Sequence, residues 1–116
     1  MEHLRIPELV EFSAAKRFRR KLVGSEKIVV ELLCYEPGQS TPAHQHPAQD
    51  EIFVILEGRG RLRSGEEEVP CEPNSLIRVP AGTPHGLTAS ERLIALIVKA
   101  PAFTSAVPPG SRQPPQ

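Results

Sequence analysis

His44, His46, Glu51 and His85 are the residues of this chain whose types and spacing could do chemistry together. His44 and His46 stand two apart, and on a strand residues i and i+2 point to one face. Both imidazoles can then reach one point in space. Glu51 follows five residues after His46 and opens an apolar run, Ile52 to Leu56, that reads as a buried strand. Paired beside the first strand, it brings a carboxylate to the two imidazoles. Two histidines and one carboxylate form a facial metal site with open positions. Further on, Val79-Pro-Ala-Gly-Thr-Pro-His85 is a turn punctuated by Pro and Gly that delivers another imidazole. Of the four histidines only His3 lies outside these two stretches.

Three neutral nitrogens and one anionic oxygen suit one divalent transition metal. Iron, manganese, nickel, zinc and copper all tolerate such a shell, and the sequence does not choose among them. The set contains no cysteine, which argues against a closed structural zinc site. A six-coordinate ion would keep two adjacent positions for water, or for a substrate that chelates through two oxygens. It could then act as a Lewis acid, as an activator of water or dioxygen, or as a template. Asp50 is adjacent to Glu51 and points the other way on a regular strand; a bulge would exchange the two.

The elements that must position these groups read as short strands. Lys27 to Tyr35 is rich in Ile, Val and Leu and reads as a central strand, with Glu31 facing away from Val30 and Leu32. Glu36-Pro-Gly-Gln turns the chain into the histidine strand. Ile52 to Leu56 is followed by Gly58-Arg-Gly60, expected as a tight hairpin, and Ser64-Gly65 as another. Further strands are expected at Arg61–Arg63, Glu66–Val69, Ser75–Val79, His85–Thr88 and Arg92–Lys99. No segment holds a sustained helical period. Short strands with turn residues between them indicate an all-β sandwich or barrel. Phe53 and Ile55 share parity with Glu51, and Leu87 with His85, so these side chains would line an apolar pocket around one polar centre. Tyr35 and Glu57 are the nearby candidates for proton transfer, and both read first as structural. No catalytic residue beyond the ligands is assigned. No Ser/His/Asp constellation and no Gly-rich phosphate loop occurs.

The spacing Gly38-x5-His44-x-His46-x4-Glu51-x6-Gly58 resembles the first cupin motif at every fixed position. Pro80, Gly82 and His85 stand at the offsets of the second. Asn74 replaces its first glycine and Ala89 its final asparagine. Asn is the mildest substitute for a glycine at positive φ. The loss of the asparagine removes a polar group near the site but not a ligand. The resemblance, to a small single-domain cupin, implies a double-stranded β-helix, a jelly-roll barrel closing around a metal held by His44, His46, Glu51 and His85. It also implies a homodimer. Function then divides between an enzyme and a non-catalytic small-molecule binding or sensory module. The enzyme would act on a small oxygen-rich substrate, a carboxylate, enediol or sugar derivative, by dioxygenation, isomerisation or decarboxylation.

The totals set limits. At 116 residues the chain suffices for one domain with a small core. Aromatic residues make up 4%, so Val, Ile and Leu must build that core. A formal net charge of zero gives no reason to expect nucleic acid or a membrane surface as partner. With no signal-like start and no spanning run, the expected location is cytoplasmic. Cys34 and Cys71 are expected as reduced core thiols. Lys16-Arg-Phe-Arg-Arg-Lys21 reads as a solvated edge strand, with an anion contact as the alternative. Arg59, Arg61 and Arg63 alternate onto one face, read as surface although arginine is a good carboxylate clamp. Leu93–Val98, with Leu9 to Phe12, offers apolar surface for a two-fold dimer in which N-terminal residues pair onto the partner's sheet. The expected divisions are an N-terminal arm and edge strand over 1–24, the barrel over 25–101 and a Pro-rich tail over 102–116.

Overall fold

The computed structural model describes residues 1–102. The Pro-rich segment expected to form a tail lies outside the described residues, apart from its first residue, Ala102. Nine strands are present among the described residues: β1 Phe18–Gly24, β2 Val29–Tyr35, β3 Ser40–His44, β4 Asp50–Glu57, β5 Gly60–Ser64, β6 Glu67–Cys71, β7 Leu76–Val79, β8 His85–Ala89 and β9 Leu93–Ala100. One 3-10 turn, Ile6–Glu8, precedes them. The strands form two antiparallel sheets, one in the order β1-β2-β9-β4-β7 and the other in the order β3-β8-β5-β6. This is the double-sheet jelly roll.

Strand alternation explains where each side chain goes. Leu33 and Tyr35 of β2, Phe53 and Ile55 of β4, and Leu93, Ala95 and Ile97 of β9 face inward and meet Leu62, Leu87 and Ala89 of the smaller sheet. Burying a side chain such as Ile55 or Leu93 completely contributes about 1.5–3 kcal/mol, so this aliphatic layer carries the barrel without tryptophan. The opposite parity, Leu32, Cys34 and Ile94, faces out of the larger sheet, and Ile6, Leu9, Val10 and Phe12 pack over it. The N-terminal arm is therefore a docking segment on the chain's own sheet, and its apolar residues form no strand.

One local reading needs correction. Gly58-Arg-Gly60 is no hairpin: β4 pairs with β7 and β9, whereas β5 pairs with β6 and β8, so the turn carries the chain from one sheet to the other. Gly58 has φ +83°, and a Cβ there would overlap the Arg92 carbonyl, so only glycine permits the crossover to press against the start of β9. The Ser64–Gly65 turn does close a hairpin, with Ser64 opposite Glu67. Asn74, at φ +73°, takes the left-handed conformation that its place in the motif requires. Arg59, Arg61 and Arg63 lie on the surface, paired with Glu72 and Glu68. Beyond β9, Gln49 donates through Nε2 to the carbonyls of Pro101 and Ala102 at 2.8 and 2.9 Å, and Ala102 is buried.

Candidate metal centre

His44 is the last residue of β3 and pairs across the sheet with His85, the first residue of β8. This register sets the two imidazoles side by side, with ring centroids 4.5 Å apart. The strands approach closely here because residue 86 is glycine: a Cβ on it would lie 2.9 Å from the Thr41 carbonyl oxygen. Glu51 reaches the same point from β4 in the facing sheet. One ligand atom from each of His44, Glu51 and His85 can be chosen so that all lie within 4.8 Å of one another.

His46 arrives by a different route from the one expected. β3 ends at His44, with a register shift between Thr41 and His44, so the strand alternation that would align His44 and His46 does not extend that far. His46 sits in the following loop, whose carbonyl accepts from the Gly82 amide at 2.9 Å. That bond ties the His46 loop to the turn before His85. Its Nε2 lies 3.7 Å from Glu51 Oε2, and its ring stands edge-on to His44 at 5.0 Å. It thus faces the same carboxylate but lies outside the closest group. Asp50 points outward, as a regular strand requires, and its Oδ1 accepts from the Ala81 amide at 2.8 Å.

The backbone fixes how the two central imidazoles are protonated. Nδ1 of His44 lies 2.9 Å from the Pro42 carbonyl, and Nδ1 of His85 lies 2.8 Å from that of Thr83. A carbonyl only accepts, so each Nδ1 donates its proton and a neutral ring presents a lone pair at Nε2. In His85 that nitrogen lies 3.0 Å from Glu51 Oε2, not aligned as a hydrogen bond and with no other partner, while Glu51 Oε1 is also unpartnered. Both residues are sealed from water, at 2% and 1% exposure. Two facing acceptors repel unless positive charge sits between them, supplied by a proton or by a metal ion.

The titration of these groups expresses the same competition. Burial pushes the Glu51 carboxyl up, but His85, His46 and Lys99 outweigh it and hold it below the usual range. Burial pulls His85 down, yet Glu51 and the Thr83 carbonyl leave its net value raised. Burial dominates at His44 and His46 and keeps both below the ordinary imidazole value.

The group opens onto a cavity of about 350 Å³. Phe53 and Leu87 line it as their parity implied, with Phe53 edge-on to His85 at 5.7 Å. Ile55 and Tyr35 are buried deeper and do not line it; the Tyr35 hydroxyl is tied to Thr41 Oγ1 at 2.8 Å. Glu57 is exposed at the end of β4 and His3 in the N-terminal arm, both away from the cavity. Four charged residues that sequence reasoning left out of the site also line it: Arg17, Arg19, Glu31 and Lys99. Glu31 does face away from Val30 and Leu32, but that direction is inward. The available signal was the odd parity that Glu31 and Lys99 share with the core residues Leu33 and Ile97.

The sequence model of the cupin domain matches residues 31–99, and the chain belongs to the cupin family. Its nearer likenesses are varied. It superposes on the crystal structure of TT1209 from Thermus thermophilus with a TM-score of 0.82 and 31% identity, covering 87% of this chain and 98% of that one. It is 34% identical over 71 residues to auxin-binding protein 5 of Zea mays, which covers 53% of this chain and 47% of that protein. It is 42% identical over 53 residues to acireductone dioxygenase of a Synechococcus species, covering 42% of this chain and 29% of that protein. The chain thus spans less than half the length of these two curated relatives.

Proposed function

We propose that the chain is a metal-dependent cupin enzyme. It acts on a small oxygen-rich substrate, a carboxylate, enediol or sugar derivative, chelated to a divalent metal, by dioxygenation, isomerisation or decarboxylation. The observation that carries the reading is the buried contact of 3.0 Å between His85 Nε2 and Glu51 Oε2, in a ring whose Nδ1 is already bonded to a carbonyl. The donor set fits a divalent ion of iron, manganese, nickel, zinc or copper. His44, Glu51 and His85 would hold it, with His46 as fourth ligand. When bound, such an ion supplies Lewis acidity and open coordination positions. The chain's own residues do the rest. The Pro42 and Thr83 carbonyls orient the rings, and Phe53 and Leu87 exclude water from one side of the site.

A second reading is a non-catalytic binding or sensory module. Its support is the lack of an available proton carrier where the sequence offered one. Burial pushes the Tyr35 phenol up to about 12, its hydroxyl is engaged by Thr41, and Glu57 points to solvent. The names of the relatives divide the same way, one a dioxygenase and the other a binding protein. The deciding experiment is elemental analysis of untagged protein purified without added metal, followed by a substrate panel with and without oxygen. Turnover supports the enzyme, ligand affinity without turnover supports the module, and protein that binds no metal under any loading refutes both.

We also infer a homodimer in the cytoplasm, with a small molecule rather than nucleic acid or membrane as partner. Half-buried Ile52, Val54 and Val98 and exposed Leu76 leave apolar surface on the outer face of the larger sheet. No helix among the described residues is long and apolar enough to cross a membrane.

A further inference from the structure

The inner face of the larger sheet carries a charged side chain on each of four neighbouring strands: Arg19 on β1, Glu31 on β2, Lys99 on β9 and Glu51 on β4. The signs alternate. Arg19 Nε lies 3.8 Å from Glu31 Oε2, and Lys99 Nζ lies 2.9 Å from Glu31 Oε1. Lys99 then stands opposite Glu51 in the β4–β9 register. Glu31 and Lys99 are 3% and 5% exposed. A buried ion pair repays its desolvation poorly as a source of stability, so folding alone is a weak reason for one in a cavity wall.

Arg17 stands at the β1 end of this row, one residue before the strand. Alternation puts it on the side of Arg19, while Phe18 and Leu22 pack against the outer cluster. Its Nε is shielded from solvent and has no hydrogen-bond partner. Each of the other arginines among the described residues has a carboxylate oxygen within 3.8 Å. Arg17 has none. A guanidinium is a rigid fork that matches a planar carboxylate through two N–H groups, and Arg17, without a carboxylate of its own, brings that fork to the cavity it lines. The charge balance agrees: Arg17, Arg19 and Lys99 oppose only Glu31 and Glu51 along the cavity.

We propose that the cavity binds a small molecule with two anionic ends, one a carboxylate clamped by Arg17, the other directed to the His44–Glu51–His85 group. The second anchor rests on the metal reading above; the first does not. β1 and β4 are three strand spacings apart, roughly 14 Å across the sheet, and the ladders offset the anchors along the strands as well, with Phe18 opposite Cys34 on β2 but Glu51 opposite Lys99, which faces Val29.

Calorimetric titration of metal-loaded protein with the dicarboxylates from malonate to adipate, and with their monomethyl esters, tests the assignment. At least one diacid is expected to bind about tenfold or more tightly than its ester, the loss that one charge-assisted contact gives. Arg17→Gln should abolish that preference with metal content unchanged. Arg17→Lys, which keeps the charge but not the fork, should restore part of it. Equal affinity for diacid and ester, a preference that survives in both variants, or no diacid binding overturns the proposal. If loading leaves the protein without metal, the metal reading fails separately. Carboxylate binding by the metal-free protein, by diacid and monoester alike, and its loss in Arg17→Gln then decide the assignment of Arg17.

Discussion

Glu51→Gln separates the metal reading from an ordinary buried ion pair. The substitution keeps the size of a side chain that is 1% exposed and removes the one anion of the ligand group. An ion among the donors would lie no farther than about 4.8 Å from the carboxylate oxygen, since the donors themselves are that close. At that separation a dication and a carboxylate attract by about 2 kcal/mol in a water-like dielectric and about 7 kcal/mol at an effective dielectric of about 20. Metal affinity should therefore fall at least tenfold, and farther to the degree that burial lowers the dielectric. The fold itself should survive, because a glutamine amide can donate to the His85 Nε2 that now faces an acceptor. The metal-free variant should melt within about 5 °C of the parent, the shift that about 1 kcal/mol gives at this size. The assay is competition for zinc against a fluorescent chelator, with thermal unfolding of both metal-free proteins. His85→Ala provides the contrast: it keeps His44, His46 and the charge of Glu51, and should retain more metal than Glu51→Gln. Unchanged metal affinity in Glu51→Gln would refute the reasoning and remove Glu51 from the ligand set.

Three further outcomes are expected. Metal affinity should begin to fall above pH 6.5 on acidification, because Glu51 raises the net value of His85 despite burial, and should fall more steeply below 6.5 as His46 and His44 take protons. The sign follows from competition: a protonated Nε2 cannot ligate, so affinity present at high pH is lost through each folded-state pKa as pH falls. A flat profile from pH 7.5 to 5 contradicts this. Cys34 and Cys71 should resist a disulfide reagent at pH 8 in the native protein and react on denaturation, since burial raises both thiols, Cys71 to about 11; rapid native labelling would place a thiol outside the core. Light scattering at micromolar concentration should give a dimer, and Leu76→Lys on the outer sheet face should shift it toward monomer; a monomeric parent rules out the assembly.

The strands were legible because burial on one face imposes alternation, and β2, β4 and β9 carry it in plain Ile, Leu and Val. The ligand spacing was legible because a fixed number of residues between His44, His46 and Glu51 constrains where a short loop and a strand can put them. Gly58-Arg-Gly60 misled because a crossover between sheets and a hairpin require the same left-handed glycine; only the pairing partners of β4 and β5 distinguish them. The charged wall was hidden for a related reason. Lys16 to Lys21 reads as a run of like charge, but Phe18 and Leu22 mark one face of it, and the opposite parity turns Arg17 and Arg19 inward. Lys99 and Glu31 are 68 positions apart in sequence, and nothing local to either announces a partner.

β1 is bonded along one side only, to β2, and its ladder is broken by a shift between Lys21 and Val23. An edge strand with an interrupted ladder opens at lower free energy than β9, which is held by β2 and β4 together. Amide hydrogen exchange should accordingly be faster along β1 than along β9, with the barrel otherwise intact. Substitutions at Lys21 to Val23 should therefore change the opening rate of β1 without altering any residue that lines the cavity.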